Sequence, residues 1–547
     1  MGYATTRTLE RVLAAIPALL AQGLLRRPVS YQLPQGFYGI DSIFLVLALM
    51  ALARIRSLEQ LRYQAPGEWG KLLGLDRIPE VRTLREKVER LCQDLGRAKE
   101  WNAQLAKQWM ARQDSADVYF YCDGHVRVYQ GEKTSLPRHY VARERLCLRA
   151  TVDYWVNAMD GQPFLYVNKE VDPGLIATLK NDVVPWLEQL APKTAEQQQR
   201  LEQDPPAHWF TLVFDREGYS PELFAALLRK RIAILTYQKF PKQDWPVEQF
   251  AAHRVELAGG QTVTMKLSER GTRLSNNLWL REIRKLTDSG HQTAMLTTHF
   301  SAPMPLLAAS MFARWCQENF FRYMRQQYGL DRLVEYGTEL VPDLTPVVNP
   351  QWRKLDNQVR SKLGQRQRLH AQFGAIALSE ALSEEEIQNY QQRKGDLQEQ
   401  IQHLDVEIEQ LKQQRKQTEH HIPVKSLPDE ERFTRLRTER KHFLDTIKMI
   451  AYRAETSLVS ILREHLARSD DARTLIRQIF ATEADLLPDA KSQTLTVRIH
   501  HLSQAAHDQV FEKLCAALNE TKTVFPGTDM TMIFKIGSSQ FPPGQEV

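Results

Sequence analysis

Two runs of β-forming residues, VYFYCD at 118–123 and HWFTLVFD at 208–215, each end on an aspartate. A chain with two such apolar runs must build a sheet around them. In an open α/β sheet the carboxyl ends of the strands meet in a crevice where ligands bind. The sheet around Asp123 continues through RVYQG, LCLRATVDYWV and PFLYVN, each bounded by turn residues, which reads as an antiparallel set. Leu175 to Leu190 has helical spacing. After HWFTLVFD, Ser220 and Pro221 form an N-cap and first-turn pair. IAILTY at 232–237 is a further apolar strand.

The flanks have another texture. Residues 1–115 read as a helical domain, with apolar spacing through Leu9, Val12, Leu13 and Ile16 and again through Leu84, Val88 and Leu91. SIFLVLALMALA at 42–53 is uncharged but bracketed by Asp41 and Arg54. A membrane span needs roughly 18 or more apolar residues, so this is expected to be a buried helix. EWGKLLGL, DRIP and EVRTLREKVERL form a helix–turn–helix-like pattern whose second helix carries Arg82, Arg85 and Lys87. In a major groove those side chains would reach phosphates and guanine edges; the alternative is a bundle with a solvated basic face.

Beyond the sheet, residues 241–300 return to strands, with Gly259-Gly260 as a turn and a second short sheet between Leu278 and Thr298. Ser301 and Pro303 announce one long helix to about Gln327 within a segment 301–345. In 346–425, Ile387, Tyr390, Leu397, Ile401, Leu404, Ile408 and Leu411 take heptad positions, after a capping box of Ser383 and Glu386. An earlier helix holds Trp352, Leu355 and Val359, with a break near Ser379, so the segment reads as a coiled-coil hairpin or a dimer seam. Residues 426–490 are helical, and 491–547 form a small α/β unit.

Composition narrows the function. Lys and Arg number 72 against 66 acids, a formal charge of +6, which permits nucleic acid as a partner without requiring it. Five scattered cysteines with no CxxC pair exclude a disulfide framework and a cysteine zinc site. A reducing cytosol is expected, with no signal peptide and no membrane.

Three acids carry the chemistry. Asp123 and Asp215 end strands, and Glu318 sits in the long helix that follows. Carboxylates gathered at one point repel unless cations are present, and Mg²⁺ takes such hard oxygen ligands, with Mn²⁺ as a substitute. Two ions roughly 3.5–4 Å apart can activate an attacking oxygen and stabilise the leaving oxygen of a phosphodiester. Taken singly, each acid reads as an exposed end-of-strand residue; their order along the chain is what points to a site.

Three blocks, DGHVRVYQG…DYWVNAMDGQPF, FDREGYSPELF and FARWCQENFFRYMRQQYGLDRLVEY, resemble the cut-and-paste transposases of bacterial insertion sequences, the DDE superfamily. The resemblance covers roughly residues 115–340. In the third block, relatives place Tyr, Arg, the catalytic Glu and Lys where this chain has Met311, Arg314, Glu318 and Arg325. The Arg and Glu match, the Lys is replaced by another cation, and the Tyr is absent. Arg314, Glu318, Arg322 and Arg325 share one helical stripe, either an ion-pair ladder or a metal ligand flanked by phosphate clamps.

The resemblance implies a fold: a ribonuclease-H-like α/β catalytic core (116–240 and 301–345) with a β-strand insertion (241–300), flanked by the helical N-terminal domain and the coiled-coil C-terminal region. It implies Asp123, Asp215 and Glu318 as catalytic metal ligands for two ions, with transposon ends and target DNA as duplex partners. A homodimer holding both ends and a bacterial, nucleoid-associated location follow from the same resemblance. Some relatives use the β insertion to stack a flipped base; Trp245 and Trp279 are candidates, or else core residues. Arg138, Arg143, Arg145 and Arg149 either track a DNA backbone or form a solvated edge strand. His125 and Glu217, each two past an aspartate, are lesser candidates. The competing readings are an inactive, domesticated DNA-binding protein and a nuclease without strand transfer.

Overall fold

The computed structural model describes residues 6–8, 12–113, 118–141, 143–169, 171–241, 243–257, 262–332, 334, 337–376 and 383–538. Leu9, the Gly259-Gly260 turn, the break near Ser379 and the side chain of Glu386 lie outside the described residues. The chain forms two compact units, one of residues 1–130, 137–337 and 436–547, the other of residues 131–136 and 338–435.

The first unit is built on a ten-stranded sheet. Its strands are β1 (Tyr119–Val128), β2 (Arg138–Val141), β3 (Leu146–Asn157), β4 (Pro163–Lys169) and β5 (Phe210–Phe214), then β6 (Ile232–Tyr237), β7 (Ala251–Glu256), β8 (Thr262–Arg273), β9 (Trp279–Leu286) and β10 (Gln292–Thr297). The order is β2-β3-β1-β5-β6-β10-β9-β8-β7, with β4 also on β3. β3 runs antiparallel to β1 and β4, whereas β5 lies parallel to β1 and β6 parallel to β5. The parallel pair β5–β6 needs a crossover, supplied by helix Pro221–Arg229, whose Ser220 hydroxyl accepts from the Leu223 N–H at 3.2 Å.

Several features depart from the linear reading: residues 426–490, read as helical, also hold strands Thr434–Leu436 and Ala484–Asp489, whose backbone groups pair in part with strands distant in sequence. β1 does not stop at Asp123 but runs on to Val128, because Gly124 to Val128 pair with β3. The strands after residue 250 do not make a separate sheet. Met295 to Thr297 of β10 pair antiparallel with Leu235 to Tyr237 of β6, which satisfies backbone groups that an open edge at β6 would expose.

Alternation along the strands divides the core. Tyr119 and Tyr121 pack with Val213 and Leu235 under Leu307, Ala308 and Met311 of helix Met304–Phe312, while Phe120, Cys122, Leu212 and Phe214 join the larger core. That larger core also takes in the N-terminal helices and the carboxy-terminal sheet, which includes Ala484–Asp489, Thr494–Ile499 and Thr531–Ile536. Its axis is helix Glu439–Arg463, buried along most of its length. Helix Ile40–Leu52, which holds SIFLVLALMAL, packs on it, with Phe44 and Phe443 rings 5.3 Å apart. Among the described residues no helix is long and apolar enough to cross a membrane.

The second unit is a helical hairpin. Helices Pro350–Ala375 and Glu384–Gln417 run antiparallel, tied by Arg366 to Asp405 and Lys362 to Glu407, each at 2.7 Å. Val359, Ile401, Leu404 and Ile408 are buried apolar residues of the pair. These ion pairs join the two helices within one chain.

Candidate active site at the sheet crevice

The pairing of β1 with β5 brings the two aspartates together. The parallel register runs Tyr119↔Thr211, Phe120↔Leu212 and Tyr121↔Val213. Continued by two residues, it sets Asp123 level with Asp215 on the same face, at the spacing of adjacent strands, about 5 Å. Asp215 stands just beyond β5, where its carboxylate accepts the Glu217 N–H at 2.9 Å and its carbonyl accepts the Thr236 hydroxyl at 3.1 Å.

The third acid arrives through a break in a helix. In place of one long helix there are two, Met304–Phe312 and Trp315–Tyr328. Tyr121 of β1 donates its hydroxyl to the Ser310 carbonyl at 2.7 Å, and the Arg314 N–H turns to the Met311 carbonyl at 3.3 Å. A continuing α-helix would have paired Arg314 with Ser310. The second helix is then fixed to the sheet: Asn157 donates to Gln317 at 2.6 Å, and Gly161 lies against the Cys316 backbone. Glu318, next to Gln317, is left half exposed at 48%.

Arg314 joins the acids. Its guanidinium lies 2.9 Å from Glu318 and 3.5 Å from Asp123. Burial pushes the Asp123 carboxyl up to about 7, with Asp215 and Glu318 adding to it and Arg314 and the Gly124 N–H pulling the other way. Glu217 is likewise pushed up by burial, Asp215 and Asp172. Neighbouring carboxylates thus add to burial in disfavouring the charged forms of Asp123 and Glu217. Its donor set, carboxylate oxygen alone, fits a hard divalent ion. With Arg314 between Asp123 and Glu318, no group of three or more His, Cys, Asp or Glu among the described residues is close enough to ligate one.

The other sequence candidates scatter. Arg322 is exposed on the Glu318 helix. Arg325 is bound to Asp331 at 3.0 Å, an acid that sequence reasoning missed. His125 packs on Phe321 and meets the same Asp331 at 2.5 Å, so it serves that ion cluster. Burial raises the Asp331 carboxyl, but the His125 hydrogen bond and the charges of Arg143 and Arg325 hold it below the usual range. Asp331 has no signal in the linear sequence, because only the fold brings 125, 143, 325 and 331 together.

Arg82 pairs with Glu86, Arg85 with Glu59, and Lys87 is half-buried on helix Val81–Leu91. Gly70 permits helix Pro66–Lys71 to meet the DRIP turn, since a Cβ there would fall 2.4 Å from Arg77. Arg138 lies exposed on β2 and donates to the Cys147 carbonyl. Trp245 is buried, with Arg270 and Arg284 at 4.5 and 4.4 Å from its ring. Trp279 is 49% exposed, stacked on Phe300 and lying over Gly271.

A buried hub backs the Glu318 helix. Glu455 of helix Glu439–Arg463 accepts from Arg54 at 2.6 Å, Tyr328 at 2.7 Å and Arg473 at 3.0 Å, and also from Tyr323. Burial opposes its charge, yet these cations and hydroxyls hold its carboxyl below the ordinary value.

Compared with known proteins, the chain matches the model of a family described as transposase protein over residues 7–538. No curated protein matches it. Among solved structures it is similar to a piggyBac transposase synaptic complex with hairpin DNA, seen by cryo-electron microscopy. That likeness has 9% identity and a TM-score of 0.26, covering 87% of this chain and 88% of that one.

Proposed function

The chain belongs to the transposase-protein family, and from that premise we propose that it is a DDE-type DNA transposase that cleaves transposon ends and joins them to target DNA. The observation that carries the reading is the parallel register that sets Asp123 beside Asp215, with Glu318 tied to Asp123 through Arg314. The order β4-β3-β1-β5-β6, three antiparallel strands followed by two parallel ones, supports a ribonuclease-H-like core for this site.

In this reading Asp123, Asp215 and Glu318 hold two Mg²⁺ ions, for which Mn²⁺ can substitute. Bound there, such ions would supply Lewis-acid chemistry for phosphodiester attack, activating the attacking oxygen and stabilising the leaving one. The chain's own residues do the rest. The Glu217 N–H fixes one oxygen of Asp215 and leaves the other free to ligate. Arg314, once turned from Asp123 and Glu318, and exposed Arg322 one turn past Glu318 would bind the phosphates flanking the cut. The 3′ hydroxyl freed in the first step is the nucleophile of the second, so no covalent protein–DNA intermediate forms. Two ends must be handled together, and a homodimer is the simplest assembly that does so.

The test is Mg²⁺-dependent cleavage of duplex DNA bearing the element's ends by wild type, Asp123→Asn, Asp215→Asn and Glu318→Gln. Cleavage by wild type alone, with all four proteins binding the DNA, is the expected result. Equal cutting by all four would remove the three-acid site, and binding without cutting by all four would leave a DNA-binding protein.

A further inference from the structure

The hairpin of the second unit is electrically lopsided. Helix Pro350–Ala375 carries Arg353, Lys354, Arg360, Lys362, Arg366 and Arg368 against a single acid, Asp356. Its partner helix uses acids to neutralise the inward cations, Glu407 on Lys362 and Asp405 on Arg366. The outward cations receive no such match. Arg353, Lys354 and Arg368 are exposed and engage no ion pair among the described residues, and Arg360 meets only Asp356 on its own helix.

At 100° per residue, positions 354, 361 and 368 fall within about 40° of one another, and the cations span roughly 21 Å of helix. Between them stand Asn357, Ser361 and Gly364, small or polar and without charge. Gly364 is informative. A Cβ there would meet nothing within 4 Å, so the protein's own packing does not require glycine. In a helix interior it costs about 1 kcal/mol relative to alanine. Arg353, Lys354, Asn357 and Ser361 also line an open groove of ≈ 490 Å³, whose one carboxylate is Glu431.

We propose that this outward face of helix Pro350–Ala375 is a contact surface for the phosphate backbone of duplex DNA. Cations spaced along one face, hydrogen-bonding side chains between them and a bare backbone position allowing close approach are what sequence-independent phosphate contact requires. The inference rests on the reading that the protein works on duplex DNA, not on the three-acid chemistry.

The experiment uses the full chain and a fluorescent duplex of unrelated sequence, with anisotropy read across a salt series. R353Q/K354Q/R368Q is expected to weaken binding, and to reduce the slope of log affinity against log salt by about three, near 0.9 per lost phosphate contact. R393Q/K412Q/K416Q, the same charge change on helix Glu384–Gln417, should leave that slope alone. Gly364→Trp should weaken binding without lowering the melting temperature. The proposal fails if the first triple variant, folded by circular dichroism, keeps the wild-type slope. It fails too if the control triple weakens binding equally, or if wild type does not bind the duplex. Wild type that binds through this face but never cuts would leave the inference standing and remove the catalytic reading.

Discussion

Arg314 donates to the Glu318 carboxylate at 2.9 Å across one turn of backbone, and the same guanidinium reaches Asp123. Guanidinium and divalent ion would compete for those oxygens. Arg314→Ala is therefore expected to bind Mg²⁺ more tightly by about tenfold, equivalent to about 1.4 kcal/mol, while DNA cleavage falls. Calorimetric titration of Mg²⁺ into the full chain reads the first effect. Affinity equal to wild type would show that Arg314 does not share the ligand set.

Gly161 has φ +85, and a Cβ there would fall 3.0 Å from the Cys316 carbonyl oxygen, two residues before Glu318. Gly174 has the same φ with nothing within 4 Å of its Cβ position. Alanine at either site carries the strain of a positive φ, about 1–3 kcal/mol. Only Gly161→Ala should also displace the helix bearing Glu318. Both variants should melt lower, but cleavage should drop only for Gly161→Ala. Equal cleavage by the two would detach this contact from the site.

The two insertion tryptophans should separate cleanly. Trp245→Ala removes a buried ring that two guanidinium groups contact, at a cost to stability of about 3–5 kcal/mol. Trp279 is half exposed, so Trp279→Ala should melt close to wild type and show its effect in DNA cleavage instead. Denaturant melts alongside cleavage assays check both. A strongly destabilised Trp279→Ala would assign that ring to packing alone.

His442 is buried against Tyr166, with ring centroids 4.5 Å apart. Burial, aided by the Lys441 charge, pushes its imidazole down to about 3. Between the ordinary histidine value and that one, the unfolded chain binds a proton at this position and the folded chain does not. Stability from this group is thus complete above pH 6.5 and is lost as pH falls toward 3, by up to about 1.4 kcal/mol per pH unit. His442→Phe should flatten the fall in stability between pH 7 and pH 5. An unchanged slope in urea melts across that range would place the acid sensitivity elsewhere.

Local chemistry was legible where the cause is local. Ser220-Pro221 opens its helix because the cap needs only the Leu223 N–H three residues on. SIFLVLALMALA was too short to span a bilayer, and it lies buried against another helix. Other features depend on partners distant in sequence. Asp123 is not at a strand end because β3, some 30 residues later, goes on pairing past it. The helix at 304–328 is interrupted near Ser310, whose carbonyl accepts the hydroxyl of Tyr121, 189 positions away. No periodicity within either segment carries that information.

By itself the sequence determined which acids were available and on what elements. Strand alternation, the apolar runs ending in Asp123 and Asp215, and the helical stripe of Arg314, Glu318 and Arg322 are short-range patterns of period 2 and 3.6. Tertiary structure alone decided that these acids share the charge of Arg314. The parallel register of β1 with β5 levels the two aspartates, and the break between helices Met304–Phe312 and Trp315–Tyr328 leaves Arg314 between Asp123 and Glu318. It also decided which cations are already spent, leaving Arg325 on Asp331 and Arg322 exposed. The reason is physical: hydrogen-bond register and charge pairing are settled between segments, and only the folded core brings those segments within reach.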